Sequence, residues 1–228
     1  MKKDSRYQQE QTAKEFEAYY ETKYKRADLL EKRLLTKLLG QFKDAKTLLE
    51  VGCGTAHFTR WIDSTGLECY GVDTAIPMLK EAKKMWTNGR LLQSEGSHLP
   101  FKDKSIDLVI YITSLEYMPN AATAFLDATR VAKKGLIVGL MNKNSSGTIR
   151  KRLQALTNKN SFYKKAHFYS ISDIKQIMNK SFQGQFTILF WSTTVFPKVF
   201  GDLDSSRFPF GAFLGIAIDL RDRGIPIE

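Results

Sequence analysis

The sequence predicts an α/β fold in which parallel strands alternate with helices. A β-rich apolar run at 47–51 ends abruptly in a Gly-x-Gly turn at 52–54, and a helical pattern follows the turn. The run at 105–112 is nearly all apolar, as a central parallel strand covered on both faces must be. Strand-like and helix-like segments continue to alternate beyond it. We therefore expect one α/β domain over 1–228, with an insertion.

The periodicity of the apolar residues and the positions of turn-forming residues predict the bounds of the individual helices and strands. Predicted strands cover 47–51, 67–73, 89–93, 105–112, 135–140, 186–191 and 213–220. Predicted helices cover 5–39, 58–63, 121–131 and 172–181, with a further basic helix inside the irregular segment 142–170.

Composition narrows the class of protein. The chain has 228 residues, of which 43% are apolar and 26% charged, and no apolar run approaches the roughly 20 residues of a membrane helix. The polar start predicts no signal peptide. We expect Cys53 and Cys69 to be free thiols in a reducing compartment, and hence a cytoplasmic protein.

The net charge of +11 is compatible with a nucleic acid, an anionic membrane or an acidic substrate as partner. The lysines are spread along the chain rather than clustered, with the densest basic groups at 150–152 and 164–165. This spread favours a solvated, lysine-rich surface over a dedicated nucleic-acid interface.

The Gly-x-Gly turn is the strongest candidate for a ligand site. Glycine lets the chain turn sharply and lets a ligand approach the backbone, while the free N–H groups of the next helix face that ligand. A dinucleotide fingerprint needs a third glycine where His57 stands. Glu50, two positions before the first glycine, instead suits a ligand with an ammonium group. The alternative is a plain βα turn without a ligand.

Acidic residues follow the next two predicted strands. Asp73 ends the second strand about 20 residues after the glycines, where a doubly wound fold places a ribose-binding acid. The alternative is that Asp73 caps the following helix. Glu95 follows the third strand and precedes Leu99-Pro100-Phe101.

In their order and spacing these motifs resemble those of the class I S-adenosylmethionine (SAM) methyltransferases. The resemblance covers about the first 140 residues and is greatest to the type 11 branch, which is similar to the enzymes of ubiquinone and menaquinone biosynthesis. The family usually has glycine where Ala56 stands and Asp where Glu95 stands. The resemblance implies a Rossmann-like, doubly wound, seven-stranded sheet with helices on both faces. Its last strand would be antiparallel, and SAM would lie at the strand carboxyl ends.

The resemblance also implies how the site is built. An N-terminal helical segment, 1–40, would close over the cofactor as a lid, with Tyr20 as its main contact. The alternative is that Tyr19 and Tyr20 only pack the helix onto the sheet. The segment 142–170 would be an insertion over the active site. The predicted cofactor-binding residues are Tyr20, Glu50, Gly52, Cys53, Gly54, Thr55, Asp73, Thr74, Met78, Glu95, Gly96, Ser97, Thr113 and Ser114.

The implied reaction is in-line displacement of the SAM methyl group, with a general base needed only where the nucleophile must lose a proton. Candidates for that base are Tyr20, His98, Tyr117 and His167, and the sequence does not choose among them. Tyr163, His167 and Tyr169 are candidates for the substrate pocket, as is the aromatic segment 196–211. No metal site is predicted.

Three functions remain open from the sequence. The first is a SAM-dependent methyltransferase that acts on a small molecule. The second, prompted by the charge of +11, is an RNA methyltransferase. The run after the fourth strand lacks the Asn- or Asp-Pro-Pro-aromatic pattern of enzymes that methylate base amino groups, which disfavours that chemistry. The third is a SAM-binding regulatory protein without turnover, prompted by the absence of an obvious base.

Overall fold

The computed structural model describes residues 7–22, 24–158, 161–182 and 186–221. Its centre is one seven-stranded sheet. The strands are β1 (Thr47–Val51), β2 (Glu68–Asp73), β3 (Arg90–Gln93), β4 (Ile106–Ile112), β5 (Ala132–Met141), β6 (Thr187–Thr194) and β7 (Phe213–Asp219).

The spatial order of the strands is β3-β2-β1-β4-β5-β7-β6. β1 pairs in parallel with β2 and with β4, so that Leu49 lies opposite both Tyr70 and Val109. β7 is antiparallel to both of its neighbours, β5 and β6. The doubly wound sheet with an antiparallel last strand is therefore confirmed. Its order reverses between β1 and β4, the place where such folds bind ligands.

Helices cover both faces of the sheet. They are α1 (Glu10–Glu21), α2 (Lys25–Leu39), α3 (His57–Asp63), α4 (Ile76–Met85), α5 (Ala121–Val131), α6 (Ser146–Thr157) and α7 (Ile171–Phe182), with short 3-10 turns at Leu115–Tyr117 and Lys198–Phe200. α2 and α3 share one core cluster with β1 and β4, through buried residues such as Leu34 and Ile62. α5 and α7 supply the opposite cluster, through residues such as Phe125 and Met178.

The predicted helix over 5–39 is wrong as a single element. Residues 5, 6 and 23 lie outside the described residues, and the helices of this range are α1 and α2. α1 ends at Thr22, whose backbone leaves the helical region (φ −112°, ψ −85°) and whose hydroxyl donates to the Ala18 carbonyl at 2.7 Å. Tyr24 precedes α2 with φ −106° and ψ 7°. The leucine pattern predicted α2 well because α2, unlike α1, packs its leucines on the sheet.

Two strands differ from the predicted bounds by more than one residue at one end. β5 begins at Ala132, directly after the last residue of α5, so that no loop marks its start. β6 continues to Thr194 because Ser192, Thr193 and Thr194 are buried beside β7. Both cysteines are free and buried. Among the described residues, no helix combines the length and the apolar character needed to cross a bilayer.

Candidate functional site

A cavity of about 560 Å³ opens at the carboxyl ends of the parallel strands. This volume is in the usual range for small-molecule sites. It takes its lining from segments that are far apart in sequence: the start of the chain, the turn after β1, the ends of β2 to β4 and the segment before α7. Its lining residues include Tyr7, Gln8, Phe16, Tyr20, Glu50, Gly52, Cys53, Gly54, His57, Asp73, Thr74, Met78, Ser94, Glu95, Gly96, Ser97, Thr113, Ser114, Tyr117, Met118, Lys165 and His167.

The turn after β1 requires glycine for two different reasons. Gly52 has φ +76°, and a Cβ there would lie 2.5 Å from the Ser114 Cβ, so the position is both left-handed and too close for a side chain. Gly54 has φ +55°, but a Cβ there would meet no atom within 4 Å, because the residue faces the cavity. Ala56 is also left-handed, at φ 60°, and takes the N-cap position of α3. A glycine at this position in the related sequences therefore reflects backbone conformation.

Glu50 is the buried acid of the cavity wall, with 2% of its surface exposed. The Thr59 hydroxyl donates a short hydrogen bond to its carboxylate. Burial raises the pKa of Glu50 to about 8, and the nearby charge of Asp73 adds to that rise against the hydrogen bond from Thr59. Within the described residues no cation forms an ion pair with Glu50. A ligand ammonium group would supply that missing positive charge.

Asp73 holds the glycine turn and the next helix in place. Its carboxylate accepts from the backbone N–H of Gly54 at 2.9 Å and of Ala75 at 2.8 Å. Burial raises its pKa, opposed by these backbone hydrogen bonds. Each carboxylate oxygen has a second lone pair, so Asp73 can still accept from two ligand hydroxyls. The two interpretations of Asp73 from sequence, that it binds a ribose and that it caps the next helix, are therefore compatible.

The segment after β3 forms the part of the cavity wall that lies next to Asp73. Ser94 donates its N–H to the Asp73 carbonyl at 3.1 Å, which fixes the segment beside the second strand. A Cβ on Gly96 would lie 2.9 Å from the Met118 sulfur and 3.1 Å from Val51 Cγ1. The absence of a side chain therefore lets Met118 lie against this segment. Met78, buried in α4, forms another part of the wall.

The end of β4 adds two polar residues to the wall. Thr113 has a positive φ of 46° and donates its N–H to the Gly139 carbonyl at 2.8 Å. Ser114 donates its hydroxyl to the Val51 carbonyl at 2.6 Å. A non-glycine residue in this region costs energy, and such strain is concentrated at functional sites. β1 and β4 are thereby tied together at the turn.

α1 lies over the turn and is fastened to it by a polar cluster around Glu17. The Glu17 carboxylate accepts from the Thr55 hydroxyl at 2.6 Å and from Arg60 at 2.8 Å, and lies 3.3 Å from His57 Nδ1. Burial opposes ionisation of Glu17, but the hydrogen bonds from His57 and Thr55 and the Arg60 charge outweigh it and lower its pKa to about 2. We call this cluster the Glu17 latch.

Two tyrosines and a histidine lie on the open side of the cavity. Burial raises the pKa of Tyr20 well above its usual value, as do the charges of Glu31 and Glu50. Burial and contact with Tyr7 raise the pKa of Tyr117 in the same way. Both phenols are therefore neutral near pH 7 and act as hydrogen-bond donors rather than bases. The backbone N–H of His167 donates a hydrogen bond to the Glu116 carbonyl at 2.7 Å, which holds the residue in place.

Some predicted site residues do not line the cavity. Thr55 is buried below the turn, where it bonds Glu17. His98 is exposed, and its ring contacts the Ser97 hydroxyl at 2.9 Å. Tyr163 lies under Lys151, whose ammonium is 4.8 Å from the ring centroid, and Tyr169 packs against the core beside Asn142. The segment 196–211 also contributes nothing to the lining.

Sequence reasoning missed several residues that the structure brings to the site. Tyr7 and Phe16 line the cavity from the N-terminal segment, and Lys165 lies near its mouth. The sequence singles out His57 only because it replaces a glycine, although its Nε2 lies 2.7 Å from Asp28 and its Nδ1 lies 3.3 Å from Glu17. A charged or aromatic residue directly after a glycine turn is the signal that could have identified it. The described residues contain no cluster of His, Cys, Asp or Glu suited to a metal ion.

Comparison with known proteins finds a family match for the central part of this chain. A family model described as a methyltransferase domain, type 11, matches residues 49–138. The malonyl-[acyl-carrier protein] O-methyltransferase of Hamiltonella defensa is 27% identical over 68% of this chain and 60% of its own length. The demethylmenaquinone methyltransferase of Tropheryma whipplei is 34% identical over 46% of this chain and 44% of its own length.

Among solved structures, a SAM-dependent methyltransferase of Thermotoga maritima, described as a possible histamine N-methyltransferase, has a TM-score of 0.73 at 23% identity, over 92% of this chain and 97% of its own. The chain spans only about 60% of the length of the first curated relatives that it matches. The matched residues contain the end of β1, the glycine turn, the acid that ends β2 and the acid that follows β3. Over residues 49–138 this chain is therefore similar to the type 11 methyltransferase domain, and its fold is that of the SAM-dependent methyltransferases.

Proposed function

We propose that this chain catalyses SAM-dependent methyl transfer to a small-molecule acceptor. The observation that carries the proposal is the convergence of three carboxylates from separate strand ends. Glu50, Asp73 and Glu95 all line the same cavity, next to the two left-handed glycines of the turn. A plain βα turn would not require acids at three successive strand ends around one space.

The residues present fit SAM part by part. Glu50 offers a buried negative charge for the ammonium group, and Gly54 offers open space for the part of the ligand next to the turn. Asp73 offers lone pairs to the ribose hydroxyls. Glu95 offers an acceptor for the adenine amino group, while Met78 gives the ring an apolar wall. SAM itself supplies a methyl group on a sulfonium, which is already activated for transfer.

The protein's own contribution is to align the acceptor and exclude water. Well-aligned reactants can gain roughly 7–11 kcal/mol from positioning alone. Tyr20 and Tyr117 are neutral phenols that can orient an acceptor by donating hydrogen bonds. Of the four candidate bases we propose His167, since it lines the cavity and carries an imidazole. His98 is outside the lining and is not proposed as the base.

The test is a transfer assay with SAM labelled in the methyl group. Malonyl-acyl-carrier protein and demethylmenaquinone are the first acceptors to try, because the named relatives act on them, followed by a metabolite pool. Label in a small-molecule product, absent with Asp73→Ala, is the expected result. SAM binding without label in any acceptor would favour the regulatory alternative. Label in RNA, with binding that weakens steeply with salt, would favour the RNA methyltransferase.

We further propose that 1–228 acts as one domain, in which α1 is the lid of the cavity and 142–170 is an insertion beside its mouth. The Glu17 latch and the lining residues Lys165 and His167 support these roles. A cytoplasmic location is supported by the two free, buried cysteines, since a reducing compartment keeps thiols unpaired. Limited proteolysis with and without SAM tests the lid: SAM should protect sites in 7–22.

A further inference from the structure

Large apolar side chains are exposed in the loop between β6 and β7. The five exposed residues and their exposed fractions are Val199 (85%), Phe200 (60%), Leu203 (51%), Phe208 (64%) and Phe210 (58%). At about 200 Å² for each ring, the three phenylalanines alone present roughly 350 Å² of apolar surface. Contiguous exposed apolar surface of a few hundred Å² marks an interaction site.

α6 presents a second set of exposed apolar side chains. Ile149, Leu153 and Leu156 are 47%, 60% and 82% exposed and recur at four- and three-residue spacing, so they form one stripe. Thr148 and Ala155 are buried and mark the opposite face of the helix. The apolar stripe of an ordinary surface helix faces the core, whereas this one faces outward.

The loop and α6 are neighbours. The Asn142 amide donates to the carbonyls of Pro209 and Gly211, at 2.8 Å each, just before α6 begins. A Cβ on Gly147 in the first turn of α6 would lie 3.8 Å from the Cβ of Ala212. Phe208 and Phe210 therefore lie close to the start of the α6 stripe. We call seven of these exposed side chains, all except Leu203, the apolar rim: Ile149, Leu153, Leu156, Val199, Phe200, Phe208 and Phe210.

Arginine and lysine side chains are interspersed with the apolar rim. Arg150, Arg152, Lys198 and Arg207 are exposed, and none of them has an ion pair within the described part of the chain. The acids of the loop are neutralised from α2: Asp202 pairs with Arg26 at 2.7 Å, and Asp204 pairs with both Arg33 and Lys37. The rim is therefore an apolar surface with a net positive charge.

The rim lies at the same edge of the sheet as the cavity. β5 and β6 end there at Met141 and Thr194, and β7 begins there because it runs antiparallel. Lys165 and His167, which line the cavity, belong to the segment that follows α6. A flat partner in contact with the rim would thus lie beside the cavity mouth.

We propose that the apolar rim docks this chain on an anionic lipid bilayer. The aliphatic and aromatic side chains would enter the boundary between headgroups and acyl chains, and the four cations would contact lipid phosphates. Charge complementarity supports this occupant, since the net charge of the protein is +11. Membrane docking does not depend on whether the protein transfers a methyl group. If the proposed function holds, a corollary is that the acceptor is dissolved in the bilayer.

Two other occupants fit the rim less well. A second copy of the chain related by two-fold symmetry would bring the same unpaired cations face to face, which is repulsive. Single-stranded RNA would use the arginines and the phenylalanine rings. It would leave the aliphatic half of the rim, Ile149, Leu153, Leu156 and Val199, without a stacking partner.

Vesicle flotation of the full chain is the test. Vesicles of phosphatidylcholine with about one-third phosphatidylglycerol should carry the protein, and pure phosphatidylcholine vesicles should carry far less. Arg150→Gln/Arg152→Gln should weaken binding about 30-fold at low salt, at about tenfold for every 1.4 kcal/mol. Phe208→Ser/Phe210→Ser and Leu153→Ser/Leu156→Ser should each weaken it about tenfold or more.

Matched controls alter equivalent residues far from the rim. Leu126→Ser removes a leucine of α5 that is 47% exposed, and Lys80→Gln/Lys133→Gln removes two exposed lysines. Both controls should float like the native protein, and every variant should keep native SAM affinity by calorimetry. The proposal is wrong if native protein does not float, if the controls lose as much as the rim variants, or if the rim variants instead abolish a dimer or RNA binding.

Discussion

The ring of Tyr20 lies flat on the imidazole of His57, with centroids 3.9 Å apart and 9° between the planes. Tyr20 belongs to α1, while His57 begins α3 immediately after the glycine turn. This stack, together with the Glu17 latch, fastens the N-terminal helix over the cavity. In the lid role that we propose for α1, a ligand would be covered by an element held through one aromatic stack and a few polar contacts.

Weakening the latch should release the cofactor faster. Glu17→Gln removes the charge that holds Arg60 and His57, so α1 should open more often and the dissociation rate of SAM should rise about tenfold, as expected for loss of a charged hydrogen bond. Stopped-flow chase of bound SAM measures this rate. Glu10→Gln, on the same helix but exposed, is the control. An unchanged rate in Glu17→Gln would show that α1 does not retain the ligand.

The latch should also give stability that is lost in acid. The pKa of Glu17 is about 2 in the folded protein against an ordinary value of 4.5, so its contribution is present above the ordinary value and declines as pH falls from about 4.5 toward 2. Urea unfolding of native protein and Glu17→Gln across this range tests the effect. The two stabilities should converge toward the acid end, and a constant difference would contradict the assignment.

Binding of SAM should become tighter with rising pH below about 8. The pKa of Glu50 is about 8, so near neutral pH its carboxyl must lose a proton before it can pair with an ammonium group. Affinity should therefore rise up to about tenfold per pH unit from about pH 6 to pH 7.5. Calorimetry at several pH values checks the slope. Glu50→Gln should bind weakly with a flat profile; a flat profile in native protein would place the ammonium group elsewhere.

The two glycines of the turn should respond differently to alanine. Both substitutions incur the strain of a positive φ, about 1 kcal/mol. Gly52→Ala also forces a Cβ against the Ser114 Cβ at 2.5 Å, which should cost about 1–3 kcal/mol more. Gly54→Ala has open space and should stay folded but lose SAM affinity.

Urea unfolding of both glycine variants measures these costs. Adding Ser114→Gly to Gly52→Ala should recover the clash energy and leave the strain. Equal destabilisation by the two alanine substitutions, or no recovery in the double variant, would show that Ser114 is not what excludes a side chain at position 52.

Local signals predicted the framework of the site. The bounds of β1 and α5 are those expected from the sequence. Four predicted site residues line the cavity because the carboxyl ends of parallel strands meet at one edge of the sheet: Glu50, Gly52, Gly54 and Asp73. The predicted fold is confirmed, and the resemblance to the type 11 methyltransferase domain is confirmed over residues 49–138.

Residues that depend on tertiary packing could not be predicted in this way. Tyr20 covers the turn while its neighbour Tyr19 is 41% exposed, and only the orientation of α1 decides between them. Thr55 lies within the turn motif yet faces Glu17, a partner 38 residues away. His98 lies beside the cofactor segment, but the local turn directs its ring to Ser97.

Titration of SAM into the native protein by calorimetry tests the central claim most directly, with Asp73→Ala and Asp63→Ala measured beside it. Asp63 is an acid of the same type, outside the cavity lining, that contacts Cys69 and Trp86. The account predicts saturable one-to-one binding to native protein and Asp63→Ala, and loss of tenfold or more with Asp73→Ala. Absence of binding to folded native protein, or equal affinity in all three proteins, would contradict it.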